Sequence, residues 1–411
     1  MPWKRILLII GFIVVVILLG ALIWFFFFRP TPIAISPVPT PPTPSPLPIP
    51  GPYIPSPGPL PTPTPTPSPL PEQPQLPKTA EEAKGGPVQT TQIQPDANIA
   101  PARSSDGSNV VTFDSYTGTF HRIKPDGTSE QISDQTFSGA TNVTWSPNAD
   151  KAVIEFLDDT KVVYDFSGKK QIATLPKHWE SFNFSPDGEK IAFKSIASDP
   201  DNRWLAIANA DGSGGTPIEP LGKKSEQFTP LWSPSNQIIG LFEEGLDGNR
   251  KMLYFIGQNN ENFKSVTVEG RDIQAQWSPL GTQLLYSGYS SRAGFRPELW
   301  IVDALGSTIG NNRRKFDIQT WAEKCTFANN ETLYCSVPKT LPEGAGLLPI
   351  IAERDSTGEA IYKIDLTTGE KRKIAEPDAA LILTNLVVST DQQQLYFTDK
   401  YSKKLYTIQL Q

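Results

Sequence analysis

The sequence predicts an all-β fold, a seven-bladed β-propeller with six or eight blades as the neighbouring counts, and three observations lead there. First, an aromatic residue, Ser-Pro, a few turn residues and an apolar strand recur together. The phrase stands as Trp145-Ser146-Pro147, Phe184-Ser185-Pro186-Asp187-Gly188, Trp232-Ser233-Pro234 and Trp277-Ser278-Pro279, with weaker echoes at Phe327-Ala328-Asn329, Val388-Ser389-Thr390 and Ser104-Ser105-Asp106-Gly107. Second, successive copies lie about 39 to 61 residues apart, the period of a small four-stranded sheet repeated around an axis. Third, each copy joins strands through the same turn chemistry: proline presets one dihedral and Gly188 accepts a positive φ, so Ser-Pro-Asp-Gly reads as a hairpin turn.

Taken in order, the central strand pairs fall at 109–114 with 119–123, 151–156 with 161–166 and 190–193 with 204–209. They continue at 238–242 with 252–256, 283–287 with 298–303, 332–336 with 360–366 and 394–398 with 404–410. Each pair forms strands B and C of a blade whose strand A carries the aromatic-Ser-Pro phrase. The last blade stops at strand C and leaves a bare edge, a liability for aggregation. The β-prone Val-Gln-Thr-Thr-Gln-Ile run within 87–93 is expected to supply the missing strand and close the ring.

These repeats resemble the TolB-type β-propeller, whose hallmark is W-S-P-D-G followed by an apolar strand. The resemblance covers roughly residues 95 to 411 and is most complete at Phe184 to Gly188. It implies a propeller scaffold and brings no catalytic residues with it.

Ahead of the propeller, residues 1–5 form a stub with Lys4 and Arg5, and an uninterrupted apolar run extends from Ile6 to Phe28. That length crosses a hydrocarbon core of about 30 Å. The run is too long for a secretory h-region and lacks a small-residue cleavage site, so it reads as an uncleaved signal anchor, the chain's membrane partner, with its N-terminus in the cytoplasm. Residues 29–86 form a linker, and from Pro30 to Pro77 almost every second residue is proline. Such a stretch favours extended polyproline II, a stalk of up to roughly 150 Å at about 3.1 Å per residue. The domain from 87 to 411 is then expected on the extracytoplasmic side of the membrane.

A net charge of −6 offers no clustered basic face for phosphate backbones, which excludes nucleic acid as a partner; the densest basic run, Arg313-Arg314-Lys315, is a solvated strand end. Two histidines, His121 and His178, fall short of what a metal-dependent lyase on this scaffold needs, so no metal and no cofactor is expected. The G-x-S-x-G motif of a hydrolase partner domain is absent. The two cysteines, Cys325 and Cys335, flank the Asn329-Asn330-Glu331 turn on strands A and B of the sixth blade. If that loop has three residues they face each other, where a disulfide is sterically allowed and the outside of the cell permits it.

Recognition residues are expected on one face. Four residues before the turn serine come Asn142, Ser181, Thr229, Gln274, Lys324 and Asn385, a polar ring that period-2 alternation turns toward the central channel. At the channel mouth lie His178, Trp179, Glu180, Gln227, Arg271, Asp272, Trp321 and Glu323. The B-to-C connections open on the same face, and four of them are long: 196–203, 243–250, 288–297 and 337–359. They add Arg292, Phe295 and Arg296, types that dominate binding hot spots. The expected function is a membrane-tethered binding or scaffold module for a protein or cell-wall ligand. The alternative is a propeller enzyme acting on envelope polysaccharide.

Overall fold

The computed structural model describes residues 80–94, 97–168, 172–259, 261, 263–354 and 357–410. The expected membrane anchor and the stalk up to residue 79 lie outside the described residues. Among the described residues no helix is long and apolar enough to cross a membrane.

Seven sheets form the blades of a propeller. Blade 1 contains β3 (Asn98–Arg103), β4 (Val110–Asp114), β5 (Thr119–Ile123) and β6 (Ser129–Gln131); blade 2 contains β7 (Ala140–Trp145), β8 (Lys151–Phe156), β9 (Lys161–Asp165) and β10 (Ile172–Leu175). Blade 3 follows as β11 (Trp179–Phe184), β12 (Lys190–Ser195), β13 (Trp204–Asn209) and β14 (Thr216–Pro220). Blade 4 is β15 (Phe228–Pro230), β16 (Ile238–Gly245), β17 (Arg250–Gly257) and β18 (Val266–Glu269). Blade 5 is β19 (Arg271–Trp277), β20 (Gln283–Tyr289), β21 (Pro297–Asp303) and β22 (Arg314–Phe316). In blade 6, β23 (Cys325–Phe327), β24 (Thr332–Pro338), β25 (Glu359–Asp365) and β26 (Lys371–Pro377) are joined by β1 (Pro87–Val88), which pairs parallel to β26. Blade 7 has β27 (Leu383–Val388), β28 (Gln394–Asp399) and β29 (Leu405–Gln409), and its outer strand is β2 (Thr91–Gln94), antiparallel to β29. The strand that closes the ring therefore comes from ahead of blade 1, overlapping the run the sequence offered for it and extending one residue past it to Gln94.

Strand A of each blade lies innermost, and neighbouring A strands pack side by side, β3 between β7 and β27 and β11 against β15. Apolar side chains fill the seams between blades. Phe113, Phe120, Phe137 and Tyr164 join blades 1 and 2, and Leu253, Phe255, Trp277 and Tyr286 join blades 4 and 5. The recurring aromatics reach across the same seams. Trp145 Nε1 donates to Ala100 O at 2.7 Å and Trp277 Nε1 to Leu231 O at 3.1 Å, each giving the indole N–H an acceptor on the preceding blade.

The Ser-Pro turns share one hydrogen-bond plan. In blade 3, Ser185 N donates to Lys190 O and Gly188 N to Ser185 O, both at 2.9 Å, and Ser185 Oγ donates to Asp187 Oδ1 at 2.5 Å. The residue three after the serine has positive φ in six copies: Gly107, Ala149, Gly188, Asn236, Gly281 and Gln392. Ser104 and Ser389 thus build the full turn although their sequences only echo the motif. Blade 6 departs: Ala328 N and Asn329 N both reach back to Thr332 O.

Asp187 and Asp391 are held below the usual carboxylate range, chiefly by the Ser185 and Ser389 hydroxyls; Asp106 is lowered likewise, first by Ser104. A carboxyl whose folded pKa is depressed stabilises the fold above its unfolded pKa, and that stability is lost as pH falls through the folded value. Thermal unfolding of the chain is therefore expected to show a midpoint that drops below about pH 4. The D106N/D187N/D391N variant should be less stable at pH 7 and show a shallower acid drop; an unchanged drop would remove these turns as its source.

Candidate functional site

Strand order fixes which residues share a face. The D-to-A and B-to-C connections emerge on one side of the ring, and the Ser-Pro turns on the other. Nine large apolar side chains are exposed among the described residues, and seven of them sit on B-to-C connections. They are Tyr116 in blade 1, Leu157 in blade 2, Leu246 in blade 4, Leu347, Leu348 and Ile350 in blade 6, and Tyr401 in blade 7. The other two are Tyr254, on β17, and Leu280, on a Ser-Pro turn.

The connections of blades 4, 5 and 6 are tied into one surface. Half of the 243–250 segment is strand, so β16 and β17 run as a long hairpin with its tip at residues 246–249. At that tip Asp247 accepts from Asn249 N and Arg250 Nε, and these bonds lower its pKa. Asn249 Oδ1 accepts from Ser291 N and Oγ, both at 3.0 Å, and Asn249 O accepts from Gly270 N at 2.7 Å. The blade 5 loop makes a short 3-10 turn, Ser291–Ala293, then reverses through Gly294 and Phe295, both with positive φ. Its carbonyls hold the blade 6 insert: Gly344 N donates to Gly294 O at 2.8 Å and Gly346 N to Phe295 O at 2.7 Å. Gly346 lies flat on Tyr289, where a Cβ would come within 2.4 Å of the ring. The insert continues into a short helix, α1 (Pro349–Arg354).

The mouth residues separate into two groups. His178, Gln227, Arg271, Asp272, Arg292 and Glu323 are exposed; Glu180, paired with Lys194 at 3.7 Å, Phe295 and Arg296 are half-buried. Arg271 Nε donates to Gly248 O at 2.5 Å with its guanidinium 6.0 Å from the Phe295 ring centroid, and Arg296 Nε donates to Leu341 O at 2.9 Å. Nearby, Glu243 meets Lys251 at 2.5 Å; burial raises the Glu243 carboxyl and Asp272 adds to the rise, while Lys251 opposes it.

The second group corrects the expectation. Trp179 is 9 % exposed and stacks on Phe193 at 3.7 Å, and Trp321 is 5 % exposed. Both indoles are spent on packing and leave no face for a ligand. Lys324 is not in the channel lining at all: its side chain is fully buried, with Nζ 2.7 Å from Glu359 Oε1 and 3.1 Å from Leu383 O. Glu359 Oε2 in turn accepts from Ser336 Oγ and Leu383 N.

The rest of the polar ring has a different origin from strict alternation. Asn142, Ser181, Thr229 and Asn385 are exposed and Gln274 is half-buried. Ser181 and Asn385, with Ala100 of blade 1, have positive φ at register shifts in strand A, so bulges turn these positions and period 2 does not. Cys325 and Cys335 are Cα partners on β23 and β24 and are joined by a disulfide with the sulfurs 2.09 Å apart.

No family model matches the chain, and no curated protein matches it. Solved structures do. An oligogalacturonate lyase in complex with manganese superposes with a TM-score of 0.55 at 14% identity, covering 78% of this chain and 93% of its own. The β-propeller domain of Cps50 (Swd1) from Myceliophteria thermophila gives 0.52 at 11% identity, over 78% and 100%. An oligogalacturonate lyase from Vibrio parahaemolyticus gives 0.50 at 10% identity, over 78% and 93%. At these identities the likeness shows the fold, a seven-bladed propeller, and lyase activity is a property of the two oligogalacturonate lyases. Among the described residues no three His, Cys, Asp or Glu side chains gather as a metal site would need.

Proposed function

We propose that this chain is a membrane-tethered, extracytoplasmic binding module of TolB-like type, and that the face bearing the B-to-C connections recognises a protein or cell-envelope partner. The observation that carries this reading is the placement of seven of the nine exposed large apolar side chains on that one face. Scattered exposed apolar residues are ordinary on any protein, but their concentration on the loops of one side marks a contact surface. A rigid ring with recognition on its loops is a common division of labour. The apolar run at 6–28 and the proline-rich stretch from Pro30 to Pro77 support the tethered, extracytoplasmic part of this reading.

The test compares full-length chains carrying Tyr116→Ser, Leu157→Ser, Leu246→Ser or Tyr401→Ser with Leu280→Ser on the opposite face. Retention of envelope partners in cross-linked pull-downs is expected to weaken by more than about 1 kcal/mol for an anchor on the loop face. Leu280→Ser should leave it unchanged. Loop-face variants that keep every partner, set against a Leu280 variant that loses them, would move recognition to the Ser-Pro side.

A further inference from the structure

Within the loop face, the sector of blades 4 to 6 has a chemistry of its own. Three arginines, Arg271 at the start of β19 and Arg292 and Arg296 on the connection from β20 to β21, lie at the loop end of blade 5. Among the described residues no carboxylate pairs with any of them. The nearby acids Asp247 and Glu243 are taken up by Arg250 and Lys251, which leaves Asp272 and Glu343 as the open carboxylates of the sector. Arg271 and Arg296 each commit only Nε, to the carbonyls of Gly248 and Leu341. A guanidinium held through Nε by a neutral carbonyl keeps its two terminal nitrogens as a fixed fork, the geometry that accepts a carboxylate in two parallel hydrogen bonds. Arg271 is further steadied by the Phe295 ring. Beside these forks the blade 6 insert exposes Leu347, Leu348 and Ile350. The insert is fastened to the arginine-bearing loop by two backbone hydrogen bonds, Gly344 to Gly294 and Gly346 to Phe295.

We propose that this sector docks an acidic, leucine-rich segment of a protein partner, its carboxylates on the arginine forks and its apolar side chains against Leu347, Leu348 and Ile350. The inference rests on the reading of the loop face as a contact surface and adds the chemistry of what it contacts. Charge complementarity decides the sign: three guanidiniums outnumber the two open carboxylates, Asp272 and Glu343, and the forks have donors to spare, so a basic segment would set like charges against them. The apolar insert decides the class, since a purely ionic ligand would leave three aliphatic side chains unused beside it. Complementary charge would govern orientation and encounter, and the aliphatic contact would slow release.

Three fluorescein-labelled 14-residue probes test this against the full-length chain in detergent by fluorescence anisotropy: an amphipathic Leu/Glu peptide, its Leu/Lys counterpart and a polyglutamate lacking leucine. The Leu/Glu peptide is expected to bind at least tenfold tighter than either of the others. The R271Q/R292Q/R296Q variant should abolish that preference, and L348S/I350S should weaken the Leu/Glu peptide without changing polyglutamate. Arg292→Gln alone, at an exposed position, should lower the preference several-fold and guards against a triple variant that unfolds. A preference for Leu/Lys, equal binding of all three probes, or a preference that survives the arginine substitutions overturns the proposal. If the tip variants of the preceding test lose their partners while no acidic preference is found, the contact face stands and its acidic ligand falls.

Discussion

Replacing Lys324 by methionine is expected to cost the fold about 3–5 kcal/mol, because it strands the Glu359 carboxylate in a site with no access to water. The pair is fully enclosed, yet every strong group in it is satisfied. Lys324 Nζ reaches Glu359 Oε1 and Leu383 O, and Glu359 Oε2 takes hydrogen bonds from Ser336 Oγ and Leu383 N. Leu383 opens β27, so these contacts bind the inner edge of blade 6 to blade 7. Removing both charges together, as K324M/E359Q, should recover a large part of the loss, since breaking a buried pair costs more than deleting it. Chemical denaturation of the full-length variants measures both. A single Lys324 variant within 1 kcal/mol of the parent would mean that Glu359 finds water or a proton without cost.

The contrast between Lys324 and its ring-mates shows how far a sequence could carry the site. Hairpin turns, strand pairs and blade number were legible because they depend on local chemistry: serine to close the turn, a positive-φ residue three places on, alternating apolar strands. The fit extends to Ser104 and Ser389, whose turns form without the full motif. What the sequence could not carry is burial set by a neighbouring blade. Alternation put Lys324 in the channel, but Glu359 lies 35 residues away in the chain, and only the blade's closure brings the two together. Trp179 and Trp321 failed for the same reason, since a tryptophan at a channel mouth and one filling a blade seam have the same local sequence. The exposed apolar tips were within reach: Tyr116, Leu157, Leu246 and Tyr401 each interrupt a polar turn between strands B and C. A single apolar residue at the tip of so short a turn has nowhere to be buried.

Deleting the segment that closes the ring should produce a loss of similar size, and at a different seam from the one a reading of strand pairs alone would choose. Residues 80–94 do more than add β2 to blade 7. Val88 is fully buried in the apolar cluster with Ile361, Ile374, Leu383 and Leu395, and Ala83 lies in the same cluster, so the segment also fills the seam of blades 6 and 7. Its backbone is bonded to both blades: Gly85 N donates to Ile374 O, Glu376 N to Gly86 O and Ala83 N to Gln409 O. Burial of a valine side chain contributes about 1.5–3 kcal/mol, and each net backbone hydrogen bond about 0.5–1.5 kcal/mol. Losing the whole segment is therefore expected to cost more than about 3 kcal/mol and to leave β29 with an unpaired edge. Two substitutions separate the contributions in the full-length chain. Val88→Asp strikes the seam alone, whereas Gln92→Pro removes a β2 donor opposite Tyr406 and leaves the seam filled. Thermal unfolding should show the larger loss for Val88→Asp, with concentration-dependent association confined to Gln92→Pro and the deletion. Association in Val88→Asp alone would place the exposed edge in blade 6, at β26, and assign ring closure to β1.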